Sequence, residues 1–304
     1  MNINKLQKNG VVLTFDTLTA DDLRKIERYA RDEHKIFDKD NRDKRLQVQA
    51  MEASETKRHP QQRGDNAMIV LYKKFRAFMR WANGLDKDYL IEPLTHNNPF
   101  DRYSIGSEQY GTPFYITIEE RNKLAAAQLP ARLSVQRDIF VFQCLIGCRI
   151  GDLWAMTKDN IINGAVEYIP RKTIEDRPLT VRVPLNRQAQ AIIERYKDNG
   201  DPRLFPFVAQ QQYNEDIKEM LKLAGITRIV TILDPLTRQE VKKPINEVAS
   251  SHMARRTFIG NLYKQVKDPN LVGKLSGHVE GSKAFARYRD IDEDMAKELV
   301  SMLE

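Results

Sequence analysis

Ser251-His252-Met253-Ala254-Arg255-Arg256-Thr257-Phe258 is followed by Leu275-Ser276-Gly277-His278 and then by Phe285-Ala286-Arg287-Tyr288-Arg289. Two histidines, an arginine and a tyrosine thus stand in a regular order near the C-terminal end. On a helix His-x-x-Arg puts both side chains on adjacent parts of one face, because positions i and i+3 are neighbours there. Gly277 closes one helix before the next begins, the usual place for a residue that tolerates the left-handed conformation. Tyr288 lies between Arg287 and Arg289, and cations beside a phenol suit a tyrosine that must meet an anion. No cysteine or carboxylate cluster competes within this stretch.

Working back along the chain, residues 133–147 are apolar through Ile139, Phe140, Val141, Phe142, Leu145 and Ile146, which predicts a central buried helix. It runs into Gly147-Cys148-Arg149-Ile150-Gly151-Asp152-Leu153. An arginine between glycines at the end of a buried helix either completes the helix dipole or binds an anion, and the local pattern leaves both open. After Asn163-Gly164 the period becomes alternating: Val166, Tyr168 and Pro170, a polar turn near Glu175-Asp176-Arg177-Pro178, then Thr180-Val181-Arg182-Val183. This predicts a β-hairpin with Arg171-Lys172-Thr173 where the first strand enters the turn. A lysine there is by itself ordinary surface. Helices are expected over 189–193 and 214–223, with a second small hairpin around Asp234-Pro235. Thr117-Ile118-Glu119-Glu120 is a capping-box start that opens this part of the chain.

The N-terminal part reads as a small helical unit. Thr19-Ala20-Asp21-Asp22 starts one helix, on which Leu23, Ile26, Tyr29 and Ala30 recur at helical spacing. Residues 38–65 are dense in charge and read as polar helix plus mobile loop. The next helix has a broad apolar face of Ile69, Leu71, Tyr72, Phe75, Phe78, Met79 and Ala82, with Lys73, Lys74, Arg76 and Arg80 opposite. Those bases are either a solvated surface or a DNA-facing one. From Gly84 to Pro113 the pattern lapses into Pro, Asn and Gly, as in an interdomain connection, with the boundary near Tyr110.

The chain has 304 residues, enough for two domains that each bury a core, and a net charge of +7 from 49 Lys+Arg against 42 Asp+Glu. That excess permits nucleic acid as a partner without requiring it. No apolar run approaches the roughly 18 residues that span a bilayer, so no membrane is expected. Two cysteines, Cys144 and Cys148, read as core residues of one buried helix in a reducing compartment.

Taken together, Arg149, Lys172, His252, Arg255, His278 and Tyr288, each in its local context, resemble the active-site pattern of the tyrosine recombinases, the phage integrase family. The resemblance covers roughly Thr112 to the C-terminus, and more loosely the helical unit before it. In style it is similar to integrases of conjugative or mobilizable elements. It implies a mainly α fold with small β-hairpins (α+β). Residues 1–109 would hold an N-terminal segment, a helical core-binding DNA-binding domain and a linker, and residues 110–304 a mixed catalytic domain. It further implies site-specific cleavage and rejoining of DNA through a 3′-phosphotyrosyl intermediate and a Holliday junction. Tyr288 would be the nucleophile, Arg149 and Arg255 the phosphate clamp, Lys172 the acid for the leaving 5′-oxygen, His252 an aid to proton transfer and His278 a phosphate ligand. No cofactor and no metal is expected.

The implied partners are double-stranded DNA, a homotetramer on two paired DNA sites and, as a candidate, a DNA-bending accessory protein; the implied location is cytoplasmic, with the nucleoid. A C-terminal helix with Met295, Leu299, Val300 and Leu303 would dock either on a neighbouring protomer or in cis. The segment before the helical unit has no room for the family's arm-binding domain, so either this protein lacks one or the sequence is a shortened form. Two departures stand out: the spacing from His278 to Tyr288 is slightly longer than usual, and Ser276 replaces a frequent leucine, which is expected to change packing without chemical consequence. Two other functions fit parts of the pattern, a type IB topoisomerase and a non-catalytic DNA-binding accessory protein.

Overall fold

A computed structural model of the chain describes residues 14–37, 60–84, 92–175, 178–198, 200–278 and 300–303. It divides into two compact units, one of residues 1–110 with 233–240, the other of residues 111–232 with 241–304. Helix dominates both, and none among the described residues is long and apolar enough to cross a membrane.

In the first unit α1 (Ala20–Asp32) starts at Thr19, whose hydroxyl accepts from the Asp22 amide while the Asp22 carboxylate accepts from the Thr19 amide. This reciprocal cap satisfies two amides that the helix geometry leaves without partners. α1 buries Leu23, Ile26 and Ala30 against α2 (Asp65–Ala82), and the Tyr72 hydroxyl crosses to the Leu23 carbonyl at 2.7 Å. The buried face of α2 is Met68, Tyr72, Met79 and Ala82, whereas Leu71 and Phe78 are 42% and 38% exposed. The expected stripe is therefore rotated. This helix is apolar on several sides, so periodicity alone does not set its phase. The region expected as a bare connection also contributes to the core: a short 3-10 turn, Pro99–Arg102, inserts Phe100 beside Tyr72. The polar stretch at 38–59 and most of the C-terminal helix lie outside the described residues.

The second unit is built on α4 (Ala131–Ile146), which is packed by α3 (Ile118–Ala126), α6 (Arg187–Tyr196), α7 (Gln210–Leu223) and α8 (Ser251–Val266). Its apolar run is buried almost all round, as a helix surrounded by others must be. Thr117 caps α3 by the expected reciprocal pair with Glu120. After α4 come α5 (Ile150–Ala155) and an antiparallel sheet of β1 (Ile161–Ile162), β2 (Ala165–Tyr168) and β3 (Val181–Pro184), with Val166 opposite Val183 and Tyr168 opposite Val181. Val181 and Val183 point into the core and Arg182 out of it, the two-residue alternation expected from the sequence. β4 (Ile229–Leu233) and β5 (Glu240–Pro244) form the second, two-stranded sheet. α9 (Pro269–Ser276) follows α8 and packs on it and on β3. Both cysteines are buried and free, but Cys148 lies beyond the end of α4 and does not share its helix with Cys144.

Candidate active site

Arg149 owes its position to the turn before it. α4 ends at Gly147 in the left-handed conformation (φ 69°), and a Cβ there would lie 2.3 Å from the Phe258 ring. Only glycine meets both conditions without strain. The chain then re-enters a helix with Arg149 as the N-cap of α5 and its carbonyl bonded to the Asp152 and Leu153 amides. Two side chains hold this loop: Arg255 Nη1 donates to the Gly147 carbonyl at 2.8 Å, and Gln143 Nε2 to the Cys148 carbonyl at 3.2 Å. The Arg149 side chain is half-buried, and its Nη1 makes no hydrogen bond among the described residues.

Arg255 is 2% exposed, whereas His252, three residues earlier in the first turn of α8, is exposed. Arg255 Nη2 lies 3.1 Å and 3.2 Å from the two ring nitrogens of His278, nearly equal distances that put it in line with neither lone pair. His278 follows Gly277, which closes α9 with φ 64° and on which a Cβ would come within 2.9 Å of Val181. Burial pushes the His278 pKa down to about 3, helped by the charges of Arg255, Arg149, His252 and Lys172. One imidazole therefore feels four of the other candidate residues at once.

Lys172 is exposed on the turn after β2, and the turn is anchored by the Arg171 amide, which donates to Asp152 Oδ1 at 2.9 Å. The second oxygen of Asp152 lies 3.9 Å from Arg149 Nη1. Asp152, 5% exposed, thus joins the arginine loop to the lysine turn. Asp152 stands in the motif around Arg149 without a role of its own there; its i, i+3 spacing from Arg149 is the signal the sequence carries. Tyr168 on β2 is also nearby, since it responds to Cys148, Arg255, Asp152 and Arg149, and its burial raises the phenol pKa. Ser276 corrects an expectation. It is 1% exposed and its Oγ lies 2.8 Å from His278 Nδ1, a polar contact to a candidate residue and not packing alone. Tyr288 lies outside the described residues. Among the described residues no group of three or more His, Cys, Asp or Glu stands where it could hold a metal ion.

A mainly helical unit with small antiparallel sheets, carrying its arginines and histidines at helix ends and on one helix and its lysine on a hairpin turn, is the architecture of the tyrosine-recombinase class. Solved structures of that fold match the chain. A lambda integrase dimer bound to a COC′ core site aligns with TM-score 0.58 and 15% identity over 94% of this chain and 85% of its own. The Tn1549 transposon integrase with a circular-intermediate DNA aligns with TM-score 0.52 and 14% identity over 98% and 90%. XerH recombinase bound to a palindromic difH substrate gives 0.53 and 16% over 79% and 66%. At these identities the likeness is one of fold. The sequence profile described as "Phage integrase family" matches residues 116–295. The chain belongs to the phage integrase family, and its class of activity is site-specific DNA recombination by a tyrosine recombinase. The topoisomerase and non-catalytic readings find no support in these comparisons. No match is found among curated proteins.

Proposed function

We propose that Tyr288 is the nucleophile and that Arg149, Lys172, His252, Arg255 and His278 act with it on one scissile phosphate. The Tyr288 oxygen attacks phosphorus and the bond to the 5′-oxygen breaks. The phenol proton passes toward His252, and Lys172 gives a proton to the departing 5′-oxygen. A 3′-phosphotyrosyl ester and a free 5′-hydroxyl result. The ester conserves the phosphodiester's energy, so the 5′-hydroxyl of another strand can reverse the step without ATP. Two such exchanges pass through a Holliday junction, which calls for four protomers on two paired sites. The transition state carries extra negative charge on the phosphate oxygens, where fixed guanidinium groups act most strongly. Arg149 and Arg255 suit that role because guanidinium stays charged and binds paired oxygens.

The observation that supports this reading best is the convergence on His278. Arg255 contacts both its ring and the loop carrying Arg149, while the charges of Arg149, His252 and Lys172 bear on the same ring. Double-stranded DNA is the partner, with residues 1–109 as the core-binding domain and 110–304 as the catalytic one. A DNA-bending accessory protein and docking of the C-terminal helix on a neighbouring protomer are further parts of the proposal.

Covalent trapping on nicked suicide DNA that carries a cognate site tests it. A phosphotyrosyl adduct is expected for wild type and none for Tyr288→Phe. An adduct from both would move the nucleophile elsewhere, with Tyr168 the first alternative to mutate. Binding to the cognate site with no adduct from either would remove the reaction.

A further inference from the structure

Ser276 sits on the last turn of α9, and its Oγ has three close polar neighbours. They are the Val272 carbonyl at 2.8 Å, the Gly273 carbonyl at 3.3 Å and His278 Nδ1 at 2.8 Å. A serine hydroxyl has one proton to donate and lone pairs with which to accept. A carbonyl oxygen only accepts, so the short contact to Val272 requires the hydroxyl proton. The equally short contact to His278 must then run the other way, with Nδ1–H donating to Oγ. Ser276 is 1% exposed, so a mismatched pair at its hydroxyl would leave a buried polar group unsatisfied, at the cost of its desolvation.

We propose that Ser276 is a positioning residue that fixes the tautomer of His278, holding the ring proton on Nδ1 and making Nε2 the ring's acceptor nitrogen. A neutral histidine ordinarily favours the opposite tautomer, so the serine reverses an intrinsic preference. Among the described residues, the charged groups that lower the ring's affinity for a proton are Arg255 and His252 from α8, Arg149 from the start of α5 and Lys172 from the turn after β2, all basic. Arg255 Nη2, 3.1 Å from Nδ1 and 3.2 Å from Nε2, can donate only to the unprotonated nitrogen, so Nε2 accepts from it while no phosphate is present. Once a phosphodiester anion offsets the charge of these basic groups, Nε2 can take a proton and donate it to a phosphate oxygen. The serine thereby makes that contact depend on a proton taken up with the DNA. This consequence rests on the proposed role of His278 as phosphate ligand; the tautomer itself does not.

Nitrogen NMR of histidine-labelled full-length protein separates protonated from bare ring nitrogens, and His278→Gln identifies the His278 signals by their loss. The expected spectrum has Nδ1 protonated and Nε2 bare at neutral pH, a shift toward the Nε2–H form in Ser276→Ala, and retention of the wild-type pattern in Ser276→Thr. An Nε2–H ring in wild type, or an unchanged ring in Ser276→Ala, overturns the proposal. In the suicide-DNA assay Ser276→Ala should form adduct about tenfold more slowly, the scale of one lost hydrogen bond, with threonine restoring the rate. Equal rates for the alanine variant and wild type would remove the positioning role. Should wild type form no adduct at all, the reaction proposed for Tyr288 falls while the NMR result still decides the tautomer, on folded wild-type protein alone.

Discussion

At the scale of single residues, His278 joins charge to stability. Burial first, then four neighbouring basic residues, lower its pKa from 6.5 to about 3. The folded ring is therefore neutral across the range in which the unfolded ring gains a proton. Within that window the unfolded chain binds more protons, so stability rises with pH: the contribution is whole above 6.5 and is lost progressively as pH falls toward 3. Urea unfolding of wild type and His278→Gln at neutral and mildly acidic pH should show wild type losing more stability on acidification. Parallel losses would mean that the ring is protonated in the folded state. Arg149, His252, Arg255 and His278 were picked out in the sequence by their order and local motifs, through the resemblance to a family, and the structure gathers them around one imidazole. Asp152 and Ser276 were not picked out, for a physical reason. Asp152 gains its role from a hairpin turn packed against it, and Ser276 gains its role from a left-handed turn that folds His278 back over the helix end.

At the scale of elements, the turn at Gly147 sets where Arg149 can be. Replacing this glycine by alanine imposes two costs, the left-handed backbone (φ 69°) and a methyl group 2.3 Å from Phe258. Together they should destabilise the protein by about 2–4 kcal/mol. Gly164→Ala separates the two, since that glycine has a similar φ of 71° but open space around its Cβ. Its expected cost is the backbone term alone, about 1–2 kcal/mol. Denaturant titration of both variants checks the ranking, and equal losses would show that α4 and α8 move apart freely at this point. Helix starts and strand alternation were readable here because caps and two-residue periods are local. The buried face of α2 was not. Apolar residues occur on several of its sides, and the choice of Met68 over Leu71 is made by α1 and Phe100, which lie far away in sequence.

At the scale of the whole molecule, the charge balance gives affinity and the site gives chemistry. A net charge of +7 is modest for a DNA-binding chain, so where the bases stand matters more than their excess. On α2, Lys73 is engaged by Glu108 at 2.7 Å, which removes it from the set of bases the sequence left open. Lys74, Arg76 and Arg80 are exposed and take part in no salt bridge among the described residues. If residues 1–109 form a core-binding domain, these three are phosphate ligands that α2 offers it. Each phosphate neutralised releases condensed counterions, and log K falls against log salt with a slope of about −0.9 per contact. The combined Lys74→Ala, Arg76→Ala and Arg80→Ala variant should therefore bind duplex DNA more weakly and lower the magnitude of that slope by about 2–3. Lys73→Ala is the internal comparison and should change the slope little. Affinity of the triple variant measured across a salt series distinguishes the two meanings the sequence allowed. An unchanged slope assigns these bases to solvent and places the DNA-facing surface of the first unit elsewhere; a reduced slope makes the exposed face of α2 part of the grip on the duplex.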